Sequence, residues 1–419
     1  MLNLRLRHRG SGSGLGKRFI PFWTAVVCSD LSDGAFRTIT PLLTLTITRS
    51  AFAVSAVGLA ARLPWLLVAL PAGVVVDRHA PQTVMRVAAA SRLPMVALAG
   101  LLAAEHLLPV WALALIAFAV SAAGTFVDVS SQSLLPRLVP ADHLRAANQR
   151  LQSTQRLASQ LVGPVIGGYA AALGAGWGPG VAAILYVVVV VAFSRLPALI
   201  EEPAAAPSPA RERTVRGGLT EFREGAAYFR HRPDLTRLAA IAGMVNMAYA
   251  MCLTILPIWA VSPGRLRLSQ GEYGLLLGSI AIGGVAATVF ARPVLAWLSD
   301  RVVLTWGGPV LGASFLVLAV PNAPIVCVSL IISGGIAMLW NLTVVSYRQT
   351  TISREVFGRV VAVYRWVTYG VLPLGSLLAG LVAGLAGVVW VYIVAGAITL
   401  VGSIALGLRR LTLAEPAVP

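Results

Sequence analysis

Long apolar stretches alternate with short polar segments along almost the whole chain. The apolar stretches are rich in Ala, Leu and Val, and many reach the roughly 18 residues that a helix needs to cross the hydrocarbon core of a bilayer. Strands of a membrane β-barrel are much shorter, about ten residues each. The pattern therefore predicts an all-α membrane protein.

Twelve membrane-spanning helices, α1 to α12, are expected in two six-helix bundles. The first bundle is expected to contain spans at 20–46, 52–76, 83–104, 108–131, 153–174 and 178–198. The second is expected to contain spans at 236–261, 270–295, 303–320, 324–346, 360–383 and 387–408. The corresponding divisions are a basic tail at 1–18, an N-terminal bundle at 19–199, a linker at 200–235, a C-terminal bundle at 236–409 and a second tail at 410–419.

The linker is the longest polar segment of the chain. It opens with a Pro/Ala-rich stretch from Pro203 to Ala210. Apolar residues then recur at helical spacing with charged residues on the opposite face: Leu219, Phe222, Ala226 and Phe229 against Arg223, Glu224 and Arg230. This spacing predicts an amphipathic helix at the membrane interface rather than a purely flexible tether.

The distribution of charge determines the orientation that we expect. Charged residues make up only 12% of the chain and mean hydropathy is +0.81, yet the formal net charge is +17. Basic chains often bind nucleic acid, but here almost every Lys and Arg falls on one side of the predicted layout. The exceptions are three residues on the other side and three within spans: Arg49, Arg265 and Arg267, and Arg37, Arg62 and Arg92. Because cytoplasmic loops collect basic residues, we expect a multi-pass protein of the cell (inner) membrane with both termini in the cytoplasm and no nucleic-acid partner.

The ends of α2 and α8 carry the same short motif. After α2 the chain has Gly73 followed by Asp77-Arg78, and after α8 it has Ala296 followed by Asp300-Arg301. Each copy places a small residue about one helical turn before an Asp-Arg pair. Repetition of this kind is typical of transporters that are built from two related halves.

These residues resemble motifs of the major facilitator superfamily. The segment from Gly73 to Arg78 is similar to the motif that follows the second span in that superfamily, and Asp300-Arg301 is similar to its degenerate second copy. The resemblance implies two pseudo-symmetric six-helix bundles, transport by alternating access, and a role for the motif in closing the cytoplasmic gate. The family motif continues with more basic residues than this chain has after Arg78, and Arg86 is expected to replace part of them.

Other strings resemble the enterobactin-exporter and macrolide-efflux branch of bacterial drug exporters. They are Leu134 to Pro140 with Ala147-Asn148, Glu224 to Pro233, and Gly358-Arg359 with Pro373 to Gly380. This narrower resemblance implies export of small molecules across the cell membrane.

A string in the fifth span resembles the antiporter signature of exporters. Its residues are Ser159, Gly163, Pro164, Gly167 and Gly168. Small residues permit close helix packing in a membrane, and proline permits a kink. Generic tight packing is therefore the alternative interpretation, and the resemblance favours export.

Three charged residues lie in the otherwise apolar α1. Asp30, Asp33 and Arg37 are spaced by three and four residues, which places them on one helical face. Charges inside a bilayer are costly and normally face a cavity or a partner. One interpretation is an Asp33–Arg37 pair that neutralises itself. The other assigns proton carrying to Asp30, which has no obvious partner in the sequence, with Asp33 as a second candidate.

Three more charged residues are candidates for the same region. Asp128 in α4 is either a further proton carrier or a partner for basic residues of the neighbouring loop. Arg62 in α2 and Arg92 in α3 either pair with the acids or extend to an interface. Protons are accordingly the expected coupling ion.

A substrate cavity is expected midway along the central helices. The candidates to line it are polar and aromatic: Asn246, Tyr249, Trp340, Asn341 and Trp65. Each is equally compatible with a packed interior. An apolar, aromatic lining favours a lipophilic small molecule. No nucleotide-binding loop, metal-ligand cluster or nucleophile–base set stands out, so we expect no enzyme activity, no cofactor and no bound metal.

Together these patterns favour a monomeric, proton-coupled exporter of lipophilic drugs or of a secondary metabolite such as a siderophore. Two alternatives stay open. A transporter with the same fold would instead take up an amphipathic substrate or flip a lipid. A transport-inactive membrane sensor would use the fold as a binding module.

Overall fold

The computed structural model describes residues 18–140, 142–196, 223–229, 231–353 and 356–408. Twelve helical rods follow one another in this part of the chain. The first six are α1 Phe19–Ile47, α2 Ala51–Arg78, α3 Pro81–Ala104, α4 Val110–Leu138, α5 Leu144–Leu157 continuing through a π turn (Ala158–Val162) to Gly163–Ala172, and α6 Trp177–Ser194. The second six are α7 Pro233–Ala260, α8 Gln270–Val289 with Ala291–Trp297, α9 Asp300–Val317, α10 Ala323–Thr351, α11 Phe357–Gly370 with Leu372–Ala386, and α12 Val388–Leu408.

Nine helices of the described residues are long and apolar enough to cross a membrane. The remaining rods are α1, α5 and α9. The first carries three charged residues, the second is interrupted by its π turn, and the third begins with Asp300-Arg301. The expected all-α membrane fold is confirmed.

The largest difference from the expected bounds is at α4 and α5. The loop predicted between residues 131 and 153 shrinks to a short connection, because α4 continues to Leu138 and α5 begins at Leu144. The first part of α5 is polar, and only Ala147 and Leu151 of it are buried. Hydropathy detects the apolar part of a helix, so it misses helical turns that extend beyond the hydrocarbon core.

Equivalent helices of the two halves make equivalent contacts. In the first half α3 packs on α4 and α6, and in the second half α9 packs on α10 and α12. The pair α2–α4 has its counterpart in α8–α10. Helix α5 lies between α1 and α8, and α11 lies between α7 and α2. The two six-helix bundles are therefore related by a pseudo-two-fold arrangement.

The two halves are closed together at one end of the molecule. We call the end where Phe19 and Leu408 lie the tail side and the opposite end the far side. The halves meet mainly through the far-side parts of α5 with α8 and of α2 with α11. Also on the far side, Arg49 Nη2 donates to the main-chain oxygen of Ser262 at 2.7 Å. The tail-side part of α11 has few contacts with α2, so the space between the halves opens toward the tail side.

The amphipathic helix expected in the linker is described over 223–229 and packs on the C-terminal half. Phe229 is buried and Ala226 packs against the same apolar cluster. On the polar face, Arg359 Nη1 donates to Glu224 Oε2 at 2.6 Å. This helix therefore packs on protein through both its apolar and its polar face. Leu219, Phe222 and Arg230 lie outside the described residues.

Candidate functional site

A salt bridge inside the first bundle holds one of the two α1 aspartates. Arg92 of α3 is completely buried, and its Nη1 donates to Asp33 Oδ1 at 3.0 Å. Tyr186 of α6 donates its hydroxyl to the same oxygen at 2.6 Å. Arg92 Nη1 also donates to Ser29 Oγ at 3.1 Å. Asp33 is thus bound from two other helices, and one interpretation of Arg92, that it pairs with the α1 acids, is correct.

The pair Asp33–Arg37, one of the two interpretations of α1, does not form. Arg37 Nε donates to the main-chain oxygen of Asp33 at 3.2 Å, and its side chain is exposed. Residues four apart on a helix can pair, but the Asp33 carboxylate is already bound by Arg92 and Tyr186. Spacing within one helix cannot reveal partners that come from other helices.

Asp30 lies one turn nearer the tail side and is bound less completely. Its Oδ2 is buried and has no hydrogen-bond partner among the described residues. Gln155 of α5 is the neighbouring side chain that interacts with its carboxyl group, and Asp128 and Asp33 are close enough to add negative charge. Asp128 is exposed in the open space between the halves. The structure therefore brings all three candidate acids into one cluster.

Arg62 of α2 connects the two halves. Its Nη1 donates to the Ala250 main-chain oxygen at 3.2 Å, to Thr254 Oγ1 at 3.0 Å and to Ser376 Oγ at 2.7 Å. These acceptors belong to α7 and α11. All three are neutral, so within the described residues the positive charge of Arg62 has no carboxylate partner.

The small residues of α5 lie against α1. A Cβ placed on Gly34 would lie 2.6 Å from the main-chain oxygen of Ser159, and one on Gly163 would lie 2.8 Å from Gly34 Cα. No side chain fits at such distances, so the two backbones touch beside Asp33. The π turn Ala158–Val162 lies at this contact, directly before Gly163-Pro164.

The same string also contacts the other half. A Cβ on Gly168 would lie 2.8 Å from Gly274 Cα in α8. Gly167 faces α1, with its built Cβ 2.5 Å from the Ala35 main-chain oxygen. Helix α5 is therefore in backbone contact with α1 and with α8, and it connects the acid cluster to the opposite half.

The residues of the repeated Asp-Arg motif lie at the tail side, where the halves are apart. Asp77, Arg78, Asp300 and Arg301 are exposed. None of them forms a salt bridge with another described residue. A Cβ on Gly73 would meet no atom within 4 Å. The two copies are not in contact in this conformation.

Arg86, expected to supplement that motif, is engaged within its own half. Its Nε donates to the Phe193 main-chain oxygen at 3.1 Å and its Nη2 to that of Leu196 at 2.6 Å. A cation at a helix C-terminus is favoured by the unpaired carbonyl groups there. Arg86 thus caps α6 in this conformation.

Two cavity candidates lie on the inner face of α7. Asn246 Nδ2 donates to the main-chain oxygen of Thr368 in α11 at 2.8 Å. Tyr249 follows one turn later, and both Arg62 and Arg37 interact electrostatically with it. Both side chains are partly exposed, so they border the space between the halves.

Trp65 and Asn341 also border this space. The Trp65 ring lies 5.3 Å from that of Tyr369, and the Arg365 guanidinium lies over it at 5.8 Å. Asn341 is exposed about one turn beyond Met338, whose sulfur accepts a hydrogen bond from Arg156 of the other half at 2.8 Å.

Trp340, the remaining cavity candidate, belongs to the interior of the C-terminal half. It is only 7% exposed, and its Nε1 donates to the Leu304 main-chain oxygen at 3.4 Å. Its ring packs on Gly307 of α9. The prediction was wrong for this residue, because neighbouring positions on a helix point in different directions and only Asn341 faces the opening.

Some residues of the site were missed by the sequence interpretation. Tyr186 lies in a very apolar span, and its polar hydroxyl was the one available signal. Arg365 in α11 and Arg348 in α10 were grouped with the basic tail-side residues, and Tyr369 was not singled out. The Arg348 guanidinium lies 4.1 Å from the Tyr364 ring, and its Nε and Nη1 are buried without hydrogen-bond partners among the described residues.

Comparisons with known proteins agree with this architecture. Residues 16–417 match the model of the transmembrane secretion effector family. The chain is 28% identical over 385 residues to the multidrug efflux pump Tap of Mycolicibacterium fortuitum, covering 86% of this chain and 89% of Tap. It is 25% identical over 328 residues to the uncharacterized MFS-type transporter y4rN of Sinorhizobium fredii (strain NBRC 101917 / NGR234), covering 77% and 78% of the two chains.

Solved structures with the same fold include transporters of low sequence identity. The nucleoside transporter NupG (D323A mutant) matches with a TM-score of 0.72 at 13% identity, covering 95% of this chain and all of NupG (100%). A bacterial homologue of the iron transporter ferroportin, in an inward-facing state, matches with a TM-score of 0.66 at 16% identity, covering 93% and 98%. Fold, family match and relatives agree: the chain is a membrane transporter rather than an enzyme, and it belongs to the transmembrane secretion effector family of the major facilitator superfamily.

Proposed function

We propose that this transporter exports lipophilic small molecules from the cytoplasm in exchange for protons. The observation that carries the proposal is the unequal binding of the two α1 aspartates. Asp33 is bound by Arg92 and Tyr186, whereas Asp30 Oδ2 is buried with no donor among the described residues. Asp30 is therefore the proton carrier, Asp33 holds the bundle together, and the exposed Asp128 is the acid through which protons reach Asp30.

Proton binding at Asp30 has a direct physical reason. An ionised carboxylate with one oxygen buried and without a donor is costly inside a protein or a bilayer, and a bound proton removes that cost. Asp30 interacts with Gln155 of α5, and α5 is in backbone contact with α8 of the other half. A change of charge at Asp30 can thus alter the contact between the halves, which alternating access requires.

The proposed direction of transport is outward, and the assigned orientation is compatible with it. The basic residues of the predicted cytoplasmic loops fall on the tail side, so we assign the tail side to the cytoplasm. The described conformation is then open to the cytoplasm and ready to receive a compound for export. The relative Tap, a multidrug efflux pump, supports the same direction. Each proton that enters gains about 2.3 kcal/mol per 100 mV of membrane potential.

The repeated motif is assigned to the opposite conformation. Asp77-Arg78 and Asp300-Arg301 are exposed at helix ends on the tail side, one copy in each half. We assign to them the closing of the cytoplasmic gate when the halves rock together. In this scheme a monomer moves as two bodies, 19–199 and 236–409, joined by the linker 200–235, with tails 1–18 and 410–419 in the cytoplasm.

Everted membrane vesicles test direction and coupling together. A panel of lipophilic compounds is first screened for altered toxicity in deletion and overexpression strains, and a labelled hit is then offered to vesicles whose lumen is acidified by respiration. We expect accumulation in the lumen, and its loss when nigericin collapses the pH gradient. Uptake into intact cells instead of everted vesicles would show an importer or flippase, and binding without flux would show a sensor.

A further inference from the structure

The space between the halves carries more positive charge than its neighbours neutralise. Arg37 of α1 is exposed and Arg62 of α2 is bound only by neutral acceptors. The two are close enough to repel each other. Neither has a salt-bridge partner among the described residues. Two guanidinium groups without a salt-bridge partner among the described residues therefore border the same space.

The opposite half adds two more arginines. Arg365 of α11 is exposed and lies over the Trp65 ring. Arg348 of α10 is 8% exposed, has two buried nitrogens without a hydrogen-bond partner among the described residues and interacts electrostatically with Arg365. Trp65 follows Arg62 by three residues, so both groups border the same side of α2. The unpaired charge thus extends along the opening from Arg62 toward the tail side.

The described acids of the C-terminal half are all placed elsewhere. Asp234 is bound by Arg232 and Tyr347. The other three are held at a helix cap, in the linker-helix salt bridge and at the exposed start of α9: Glu272, Glu224 and Asp300. None of them is a partner of Arg348 or Arg365.

Asp30 and Arg37 are separated along the axis of α1. Asp30 precedes Arg37 by seven residues of α1, which is about 10 Å along a helix. Asp33, between them, is already neutralised by Arg92. Asp30 and Asp128 attract Arg37 electrostatically but form no salt bridge with it among the described residues. The acid cluster therefore adjoins the cationic end of the opening without pairing with its arginines.

We propose that this cationic end binds amphipathic anions, namely compounds with an aromatic body and a carboxylate, phosphate or comparable oxyanion. Guanidinium groups bind such oxyanions through paired, charge-assisted hydrogen bonds. The aromatic rings of Trp65, Tyr369 and Tyr249 border the same opening and offer faces for a flat apolar body. This proposal rests on the proposed function only because it takes the opening between the halves as the substrate site. An anion that leaves the cell also moves in the direction favoured by a membrane potential that is negative inside.

Three probes with the same ring system distinguish the contribution of ligand charge to the binding affinity from the contribution of apolar burial. They are 1-pyrenebutanoate, its neutral amide and the cationic 4-(1-pyrenyl)butyl-trimethylammonium. Each is titrated into the purified full-length protein in phosphatidylcholine nanodiscs at a single pH without a gradient, with empty nanodiscs as the blank. We expect the anion to bind about 10-fold more tightly than the other two, as one charge-assisted hydrogen bond predicts.

Variants identify the groups responsible. Arg37→Gln and Arg365→Gln are each expected to weaken anion binding about 10-fold without changing binding of the neutral amide. Arg37→Lys keeps the positive charge and should keep most of the preference for the anionic probe. This variant therefore distinguishes loss of charge from misfolding. Arg292→Gln changes an exposed arginine at the tail end of α8 and should have no effect.

The lipid composition distinguishes two sources of the anion. If phosphatidylglycerol in the nanodisc displaces the anionic probe and the Arg37→Gln variant abolishes this competition, the site takes a lipid headgroup. If phosphatidylglycerol does not compete with the anionic probe, the site takes soluble anions. Equal affinity for the three probes, tighter binding of the cation, or an anion preference that survives both glutamine variants would overturn the proposal. Because the assay is at equilibrium, its result is independent of whether vesicles show proton-driven export.

Discussion

Arg92 and Asp33 form a salt bridge of 3.0 Å between α3 and α1, and Arg92 is fully buried. The bridge accounts for the charge of one α1 aspartate and leaves Asp30 as the acid whose carboxyl group is incompletely bound. The division of roles between two acids only three residues apart thus comes from residues on other helices.

The Arg92–Asp33 bridge is expected to stabilise the first bundle. Arg92→Ala would leave the Asp33 carboxylate without its cation and should lower the free energy of unfolding by about 3–5 kcal/mol. The double variant Asp33→Leu/Arg92→Met removes both charges and should be less destabilised than Arg92→Ala alone. Titration of the purified proteins with SDS measures both. A loss below about 1 kcal/mol for Arg92→Ala, the range of an exposed pair, would show that the bridge is not structural.

Close packing of α1 on α5 is expected to depend on the absence of a side chain at Gly34. A Cβ there would lie 2.6 Å from the Ser159 main-chain oxygen, so Gly34→Ala should move α5 away from α1. We expect a lower thermal stability and a loss of most transport. Gly180→Ala in α6 is the matched control, because its Cβ would meet no atom within 4 Å. It should be neutral or stabilise the helix by up to about 1 kcal/mol. Equal behaviour of the two variants would contradict the packing account.

The sequence was sufficient for the fold class and for the order of the twelve helical rods. Apolar length predicted the helices, and the repeated Asp-Arg pairs at Asp77 and Asp300 indicated two related halves. The predicted bounds of α4 and α5 were too short at the tail side, because the helical turns there are polar and extend beyond the apolar pattern. The amphipathic spacing around Phe229 did predict a helix, but not its packing on α11.

The acidic residues of the candidate site could be identified from the sequence. The side chains that bind them could not. The charges of α1 stand out in an apolar span, so Asp30 and Asp33 were found. Their partners lie far away in sequence: Arg92 is 59 residues from Asp33 and Tyr186 is 153. Trp340 and Asn341 show the same limit at the level of one helix, since adjacent residues face different surroundings and hydropathy does not say which faces the opening.

Arg62 is expected to stabilise the conformation that is closed on the far side. Arg62→Gln removes a charge that donates to acceptors on α7 and α11, and hydrogen bonds to charged groups contribute about 1.5–3 kcal/mol. The population should shift toward closure of the tail side. The distance between spin labels at His79 and Trp297, both exposed at tail-side helix ends, should therefore shorten in a cysteine-free background.

The matched control for this shift is Arg145→Gln. Arg145 is an exposed arginine near the tail-side start of α5, and its replacement should leave the distance distribution as in the parent protein. An unchanged distribution in Arg62→Gln, or a lengthened tail-side distance, would show that Arg62 does not hold the far side closed.

The most direct test of proton coupling compares Asp30→Asn with Asp142→Asn in proteoliposomes. Asp142 is an exposed acid in the loop before α5, with 73% of its side chain accessible, so its variant should behave as the wild type. An imposed pH gradient should drive uphill substrate movement in the wild type and in Asp142→Asn. Asp30→Asn should lose this stimulation while keeping substrate counterflow, which requires no net proton movement. If Asp30→Asn is still driven uphill by the pH gradient at the wild-type rate, Asp30 is not the proton carrier.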